Sequence, residues 1–305
     1  MKWVIGVFSL AVTIAAVASF PGTVAAVNPD EALLGLFPAD VEAVGFVDVA
    51  QLRENSLINE LVIDRILRDK PRAIDEFEEQ TGLNLESDIQ QIMVGRTSGG
   101  EFLIAARANY EDFKVEQYFN DKGLEFDSYA GRTLYLLDDG DDDGAVSFVN
   151  GLVLVGNRNS IREALDRLNA PPTAVLANQS LLDSIHSIEE GSQVWAVGAF
   201  EDFLLPDGIA PAMTTELFDA LLGGTYQMHI DSIVTARATG DFTTPEVARR
   251  TTDLLRGLVA LGKMQAYERQ ELIELLDGVQ IEAVDTTVQI RVSADGELLR
   301  RLQAR

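Results

Sequence analysis

The sequence predicts an α+β protein of two similar units, each an antiparallel sheet covered on one face by helices. The first observation is the stretch Ala145–Leu168, in which two apolar strands turn at Asn150-Gly151 and lead into a helix. The second is Val279–Leu302, which repeats the strand-strand-helix order. The third is Ala170-Pro171-Pro172-Thr173, where two prolines end one helix and separate the two halves.

The helix after the Asn150-Gly151 turn is predicted from its start signal and its spacing. Ser160 and Glu163 have the spacing of a capping box, and Ile161, Leu165 and Leu168 form an apolar stripe. Further strands and helices alternate along the rest of the chain. The strands are predicted at 44–49, 92–94, 102–104, 126–129, 134–137, 194–197, 226–230 and 233–238, and the helices at 56–68, 73–81, 109–119, 180–188, 244–264 and 271–276.

An internal repeat supports the two-unit interpretation. The residues of Ile104–Ala108 resemble those of Val234–Ala238, and each segment ends a predicted strand just before a helix. A second match joins the helix at Glu163 to the helix at Glu297, at a similar separation. We therefore expect a duplicated unit.

The N-terminal 26 residues are interpreted as a signal peptide. Lys2 precedes the uncharged apolar run Trp3–Phe20, and Val24-Ala25-Ala26 offers small residues for cleavage. The alternative is an uncleaved anchor in the inner membrane formed by residues 3–20. The predicted domains are then the signal segment 1–26, a first unit 27–170, a Pro-rich linker 171–174 and a second unit 175–305.

Composition indicates the cellular location of the protein and the classes of partner it excludes. The chain has no Cys and a net charge of −25. Export without disulfides favours a bacterial periplasmic or secreted protein that is stabilised by its core alone. A strongly acidic chain repels phosphate backbones and anionic lipid, so we expect no nucleic-acid partner, and membrane contact only through an uncleaved N-terminal segment.

The acidic turn 138–144 carries the sharpest local signal. Asp139, Asp141, Asp143 and Gly144 match the opening of a calcium-binding loop, in which alternate carboxylates converge on the cation. The twelfth position is Asn150 where such a loop needs Glu, and the flanks are predicted strands. Two interpretations remain open, a weak calcium site and a hairpin tip kept soluble by its charge.

No pattern in the sequence predicts a catalytic centre or a cofactor. There is no Cys, no nucleophile elbow around a Ser, and the glycines of 95–100 lack the Lys of a phosphate loop. His186, with Glu189 and Glu190 nearby, and His229 are too few and too separated for zinc. We therefore expect a protein that is not an enzyme.

One apolar loop is the candidate for ligand entry. Residues 203–213 combine two prolines with large apolar side chains, where loops are usually polar. The candidate gate residues are Phe203, Leu205, Ile209 and Met213. The alternative is that the loop packs back onto the sheet.

Two short sequence segments resemble a known family. Leu36–Asp40 before the strand at 44–49, and Leu176–Leu181 before the strand at 194–197, resemble bacterial exported proteins with a tandem domain of unknown function. The resemblance implies the two-unit fold and export. It supplies no catalytic residues.

These observations give three functional hypotheses. The first is an exported, non-enzymatic protein of the cell envelope that acts by binding or assembly with a protein. The second is a carrier of a lipid or apolar small molecule held between sheet and helices, with the loop 203–213 as its gate. The third and weakest is a hydrolase that uses carboxylates alone.

Overall fold

The computed structural model describes residues 31–59, 72–138, 143–168, 178–199 and 220–303. Helices combine with antiparallel strands throughout these residues, so the predicted α+β class is confirmed. The twelve strands of the described chain are assigned to one antiparallel sheet, whereas we predicted one sheet per unit. The chain divides into two compact units between Leu182 and Asp183. The predicted signal segment 1–26 and the linker 171–174 lie outside the described residues.

The first unit contains seven of these strands, in the spatial order β1-β2-β3-β7-β6-β5-β4. The strands are β1 (Val41–Asp48), β2 (Ile89–Thr97), β3 (Phe102–Ala108), β4 (Phe126–Tyr129), β5 (Arg132–Asp138), β6 (Asp143–Val149) and β7 (Leu152–Asn157). The helices are α1 (Glu31–Leu34), α2 (Val49–Glu54), α3 (Ser56–Ile58), α4 (Arg72–Thr81), α5 (Asp112–Asp121) and α6 (Arg158–Leu168).

Helix α5 covers one face of this first-unit sheet. The ring of Phe119 stacks on Tyr135 of β5, with ring centroids 4.6 Å apart, and its centroid lies 5.5 Å from that of Phe148 in β6. Tyr135 pairs directly with Val146, so Tyr135 and Phe148 point to the same face. An aromatic core therefore fills the space between α5 and the sheet.

Helix α6 covers the opposite face of the same sheet. Asp127 of β4 forms an ion pair with Arg162 of α6, and Tyr129 donates a hydrogen bond of 2.8 Å to Asp166. Asp127 pairs with Leu134, which alternates with Tyr135 and so points away from α5. Helices therefore cover both faces of the first-unit sheet, and the prediction of one covered face is wrong for this unit.

The second unit contains the other five strands of the described residues, in the spatial order β8-β9-β10-β12-β11. The strands are β8 (Val194–Gly198), β9 (Leu221–Ile230), β10 (Ile233–Phe242), β11 (Gln280–Val284) and β12 (Thr287–Asp295). The helices are α8 (Pro245–Gln265), α9 (Gln270–Asp277) and α10 (Gly296–Gln303), and α7 (Gln179–His186) crosses the boundary between the units.

All three of these later helices pack on one face of the second-unit sheet. Ala248 of α8 packs with Ile281 and Val288, and Leu275 of α9 and Leu298 of α10 pack with residues that include Ala294. Val288 and Ala294 have the same parity in β12, so they point to the same face. Helices α8, α9 and α10 therefore share one face of the second-unit sheet.

The two units share their strand order and differ in their last helix. In each, three consecutive strands are neighbours, and the final strand pairs with the third, as β7 with β3 and β12 with β10. The predicted repeat segments Ile104–Ala108 and Val234–Ala238 both lie in these third strands. However, α6 lies on the face opposite α5, whereas α10 lies on the same face as α8 and α9.

The local prediction around position 150 is correct for the turn and wrong for the helix start. Asn150 and Gly151 have φ angles of 52° and 77°, as a tight hairpin turn requires. Helix α6 begins at Arg158, and the Ser160 hydroxyl lies 3.4 Å from Glu101. Glu163 pairs with Arg167, so the predicted capping box does not form.

Candidate binding surfaces

The described residues include only part of the acidic turn. Asp139 and Asp141 lie outside the described residues. Asp143 begins β6, and its Oδ1 lies 2.8 Å from Nη2 of Arg158, so this carboxylate already has a cationic partner. No group of His, Cys, Asp or Glu within the described part of the chain is arranged to hold a metal ion. Calcium binding at Asp139, Asp141 and Asp143 stays a prediction.

The two histidines lie apart, in different settings. His186 is exposed at the end of α7, and Glu189 forms an ion pair with Arg237. His229 lies within β9, where its Nδ1 is 2.8 Å from the carbonyl oxygen of Gly191. His229 therefore ties the loop after α7 to the sheet, which is a structural role.

The glycine-rich segment 95–100 is a hairpin turn between β2 and β3. The amide of Thr97 donates to Glu101 O at 2.9 Å, and the amide of Gly100 donates to Thr97 O at 2.9 Å. These bonds use the amides that a phosphate cradle would present. The segment is part of the sheet.

The candidate gate lies beyond the described residues. Phe203, Leu205, Ile209 and Met213 all fall within 200–219, so the gate stays a prediction. Among the described helices, none has the length and apolar character to cross a membrane.

Helix α8 carries the apolar surface that stands out in the structure. Its start is well defined, since the Thr244 hydroxyl accepts a hydrogen bond from the Val247 amide at 3.3 Å and Pro245 occupies the first turn. Its inner side is packed, with Ala248, Thr251 and Thr252 buried. The 21-residue helix is therefore anchored along the sheet.

The outer side of α8 exposes a row of large apolar residues. Leu258 is 39% exposed, Leu261 54%, Met264 73% and Tyr267, just past the helix end, 75%. They follow at every third position, which places neighbours on adjacent turns of the helix. We call Leu258, Leu261, Met264 and Tyr267 the outer ridge.

A basic row runs along another side of α8. Arg249, Arg256 and Lys263 are seven residues apart and so lie on one side of the helix. Arg256 donates from Nε and Nη2 to the Ile281 carbonyl oxygen of β11, at 3.1 and 2.6 Å. Lys263 Nζ lies 2.7 Å from Asp277 of α9. Two of the three cations therefore hold α8 to its own unit.

The apolar residues of α8 separate into a packed and an exposed surface. Leu255 and Val259 pack against the core cluster that includes Ile281, whereas Leu258 and Leu261 face solvent. All four belong to one wide apolar face by spacing. Only the position of β11 and β12 decides which part is covered.

Comparisons with known proteins bear on the fold alone. No family model matches the chain, and no curated protein matches it. The chain is similar to crystal form III of TP0453, with a TM-score of 0.50 and 13% identity over 89% of this chain and 98% of that one. It is also similar to crystal form IV of TP0453, with a TM-score of 0.47, 14% identity and coverage of 89% and 96%. At this identity the likeness to form III shows the fold alone.

Proposed function

We propose that this chain is a non-enzymatic protein of the cell envelope that acts by binding a protein partner or by assembly. The outer ridge on α8 is the observation that carries the proposal. Clustered apolar side chains on the surface of a soluble protein are typical of interaction sites, whereas single ones are ordinary. Burying one Leu or Met side chain fully contributes roughly 1.5–3 kcal/mol. A partner that covers the outer ridge would therefore gain a useful part of its affinity there, before the entropy lost on association.

The envelope location is supported by the N-terminal segment and by composition. The apolar run Trp3–Phe20 followed by Val24-Ala25-Ala26 has the pattern of a signal peptide. The absence of Cys suits a protein that folds after export without disulfides. An anchor formed by residues 3–20 would keep the protein at the inner membrane.

The non-enzymatic part of the proposal is supported by the lack of reactive motifs in the sequence. Turnover of a general esterase, phosphatase or glycosidase substrate by the purified chain would contradict it and favour a carboxylate-based hydrolase. The carrier hypothesis depends on the gate residues Phe203, Leu205, Ile209 and Met213. It stays a second prediction, tested by native mass spectrometry for a bound lipid.

A two-residue change in the outer ridge tests binding. We expect the wild-type chain, extracted gently from its native envelope, to sediment in an assembly larger than its own 33.3 kDa. Leu261→Ser with Met264→Ser should release it as the free chain, because the partner loses its apolar contact. Phe113→Ser is the matched control, since Phe113 is 73% exposed on α5 in the other unit. An assembly that survives the double change, or free chain in all three samples, would contradict the proposal.

We also propose that the two units arose by duplication. The shared strand order and the equivalent positions of Ile104–Ala108 and Val234–Ala238 support it. The β4-β5 hairpin would then be an addition to the first unit. An experimental structure in which the third strands differ in their neighbours would contradict it.

A further inference from the structure

The face of the second-unit sheet that α8, α9 and α10 leave free carries a row of polar side chains. The row crosses all five strands, because each member pairs directly with the next. Directly paired residues point to the same face. The members are Gln280 of β11, Arg291 of β12, Arg237 of β10, Gln227 of β9 and Trp195 of β8.

The loop after α7 contacts the polar row at its β8 end, which consists of Arg237, Gln227 and Trp195. Arg237 forms an ion pair with Glu189, and the side chains of both are largely buried. The Glu189 amide donates to Gln227 Oε1 at 2.6 Å. Trp195 is buried beside Gln227. This end of the polar row is therefore buried and linked to the loop after α7.

The outer half of the polar row places two positive charges side by side. Arg237 and Arg291 are direct cross-strand partners, a position in which Cβ atoms are about 5 Å apart. Like charges directly opposite each other destabilise a sheet. Glu189 neutralises Arg237, but Arg291 is exposed and forms no ion pair with any residue in the described ranges.

One amide and one carboxylate lie near Arg291 on this face of the sheet. Gln280, its other direct partner, is exposed on the same face and offers an amide donor. Glu282 is the nearest carboxylate on β11, and it pairs with Gln289, one step along from Arg291 on that face. A diagonal neighbour lies about 7–8 Å away, within reach of a long side chain, yet Glu282 forms no ion pair with Arg291 in the described part of the chain. The Arg291 guanidinium is thus engaged by no carboxylate of the described residues and has the Gln280 amide beside it.

We propose that Arg291, with Gln280 and Arg237 beside it, binds an oxyanion, either a carboxylate or a phosphate group. A guanidinium presents two parallel N–H donors that match the two oxygens of such a group. This site is separate from the outer ridge and goes beyond the proposed binding function.

The test compares two anions and three variants of the full chain. Inorganic phosphate and succinate are titrated calorimetrically against sodium chloride of matched ionic strength, and the two arms separate phosphate from carboxylate recognition. We expect one of them to bind wild-type protein, and Arg291→Gln to weaken that binding at least tenfold. Arg291→Lys keeps the charge without the fork and should fall between the two. Arg250→Gln on α8 removes the same charge from an exposed position and should bind as wild type.

A thermal measurement with and without the anion gives an independent readout. The anion that binds should raise the melting temperature of wild type and of Arg250→Gln above that in matched chloride, and should not raise that of Arg291→Gln. Circular dichroism confirms that each variant is folded. The proposal is overturned if neither anion binds, if Arg291→Gln binds as tightly as wild type, or if Arg250→Gln loses as much affinity.

Discussion

The ring of Phe37 lies directly on Gly95. A Cβ atom at position 95 would be 2.4 Å from Cδ1 of Phe37, far inside the van der Waals distance. Phe37 is fully buried just before β1, and Gly95 lies in β2. The absence of a side chain at position 95 therefore allows the chain before β1 to pack on the sheet.

Gly95→Ala should destabilise the first unit. The added methyl group must displace a buried ring, which typically costs about 1–3 kcal/mol. Gly257→Ala is the control, because a Cβ at that exposed position of α8 meets nothing within 4 Å. It should raise stability by about 0.5–1 kcal/mol through helix propensity. Urea unfolding measures both, and equal stability of Gly95→Ala and wild type would show that Phe37 moves freely.

Tyr110 should make stability fall at alkaline pH. Burial, assisted by the charge of Asp112, raises the pKa of Tyr110 from 10.0 to about 12. The unfolded chain therefore loses this proton near pH 10, while the folded chain keeps it until about pH 12, so the free energy of unfolding drops between these values. Tyr110→Phe should reduce that drop. It should not abolish it, because burial also raises the pKa of Tyr118 and Tyr135.

The same substitution has a second, pH-independent effect. The Tyr110 hydroxyl donates a hydrogen bond of 2.9 Å to the Leu152 carbonyl oxygen. Tyr110→Phe should therefore lower stability by about 1 kcal/mol at pH 7. Unfolding curves for both proteins across pH 7 to 12 give the result, and parallel pH profiles would contradict the assignment.

Arg256 should protect the end strand of the second unit. It donates two hydrogen bonds to the Ile281 carbonyl oxygen of β11, the last strand in the order of that unit. An open strand edge is a template for pairing with another chain. Arg256→Ala should therefore cause concentration-dependent self-association and cost about 1 kcal/mol. Sedimentation equilibrium measures it, with Arg249→Ala as control, and identical behaviour of the two variants would exclude the protective role.

Sequence patterns predicted which segments form strands and turns better than they predicted which face of the sheet each helix covers. The Asn150-Gly151 hairpin follows from two residues that accept positive φ, so local chemistry was sufficient. The faces covered by α5 and α6 depend on where the chain crosses the sheet, which alternation alone does not encode. A helix that follows a strand can pack on either face with the same apolar stripe.

Neither candidate surface could be located without the strand register. The outer ridge and the packed side of α8 use the same residue types, so Leu258 and Leu255 differ only in what lies beside them. Arg237 and Arg291 belong to strands far apart in the chain, and only the pairing of β10 with β12 brings them together. Sequence showed each Arg alternating with apolar neighbours, which predicts a face and not a partner.

Site-specific photo-crosslinking tests the binding proposal most directly. A benzophenone amino acid replaces Leu261 in the full chain in its native cells, and a second strain carries it at Phe113 as an equally exposed control. We predict a discrete covalent adduct of defined mass from position 261 and none from position 113. No adduct at position 261, or the same adducts from both positions, would contradict the account of the outer ridge as a binding surface.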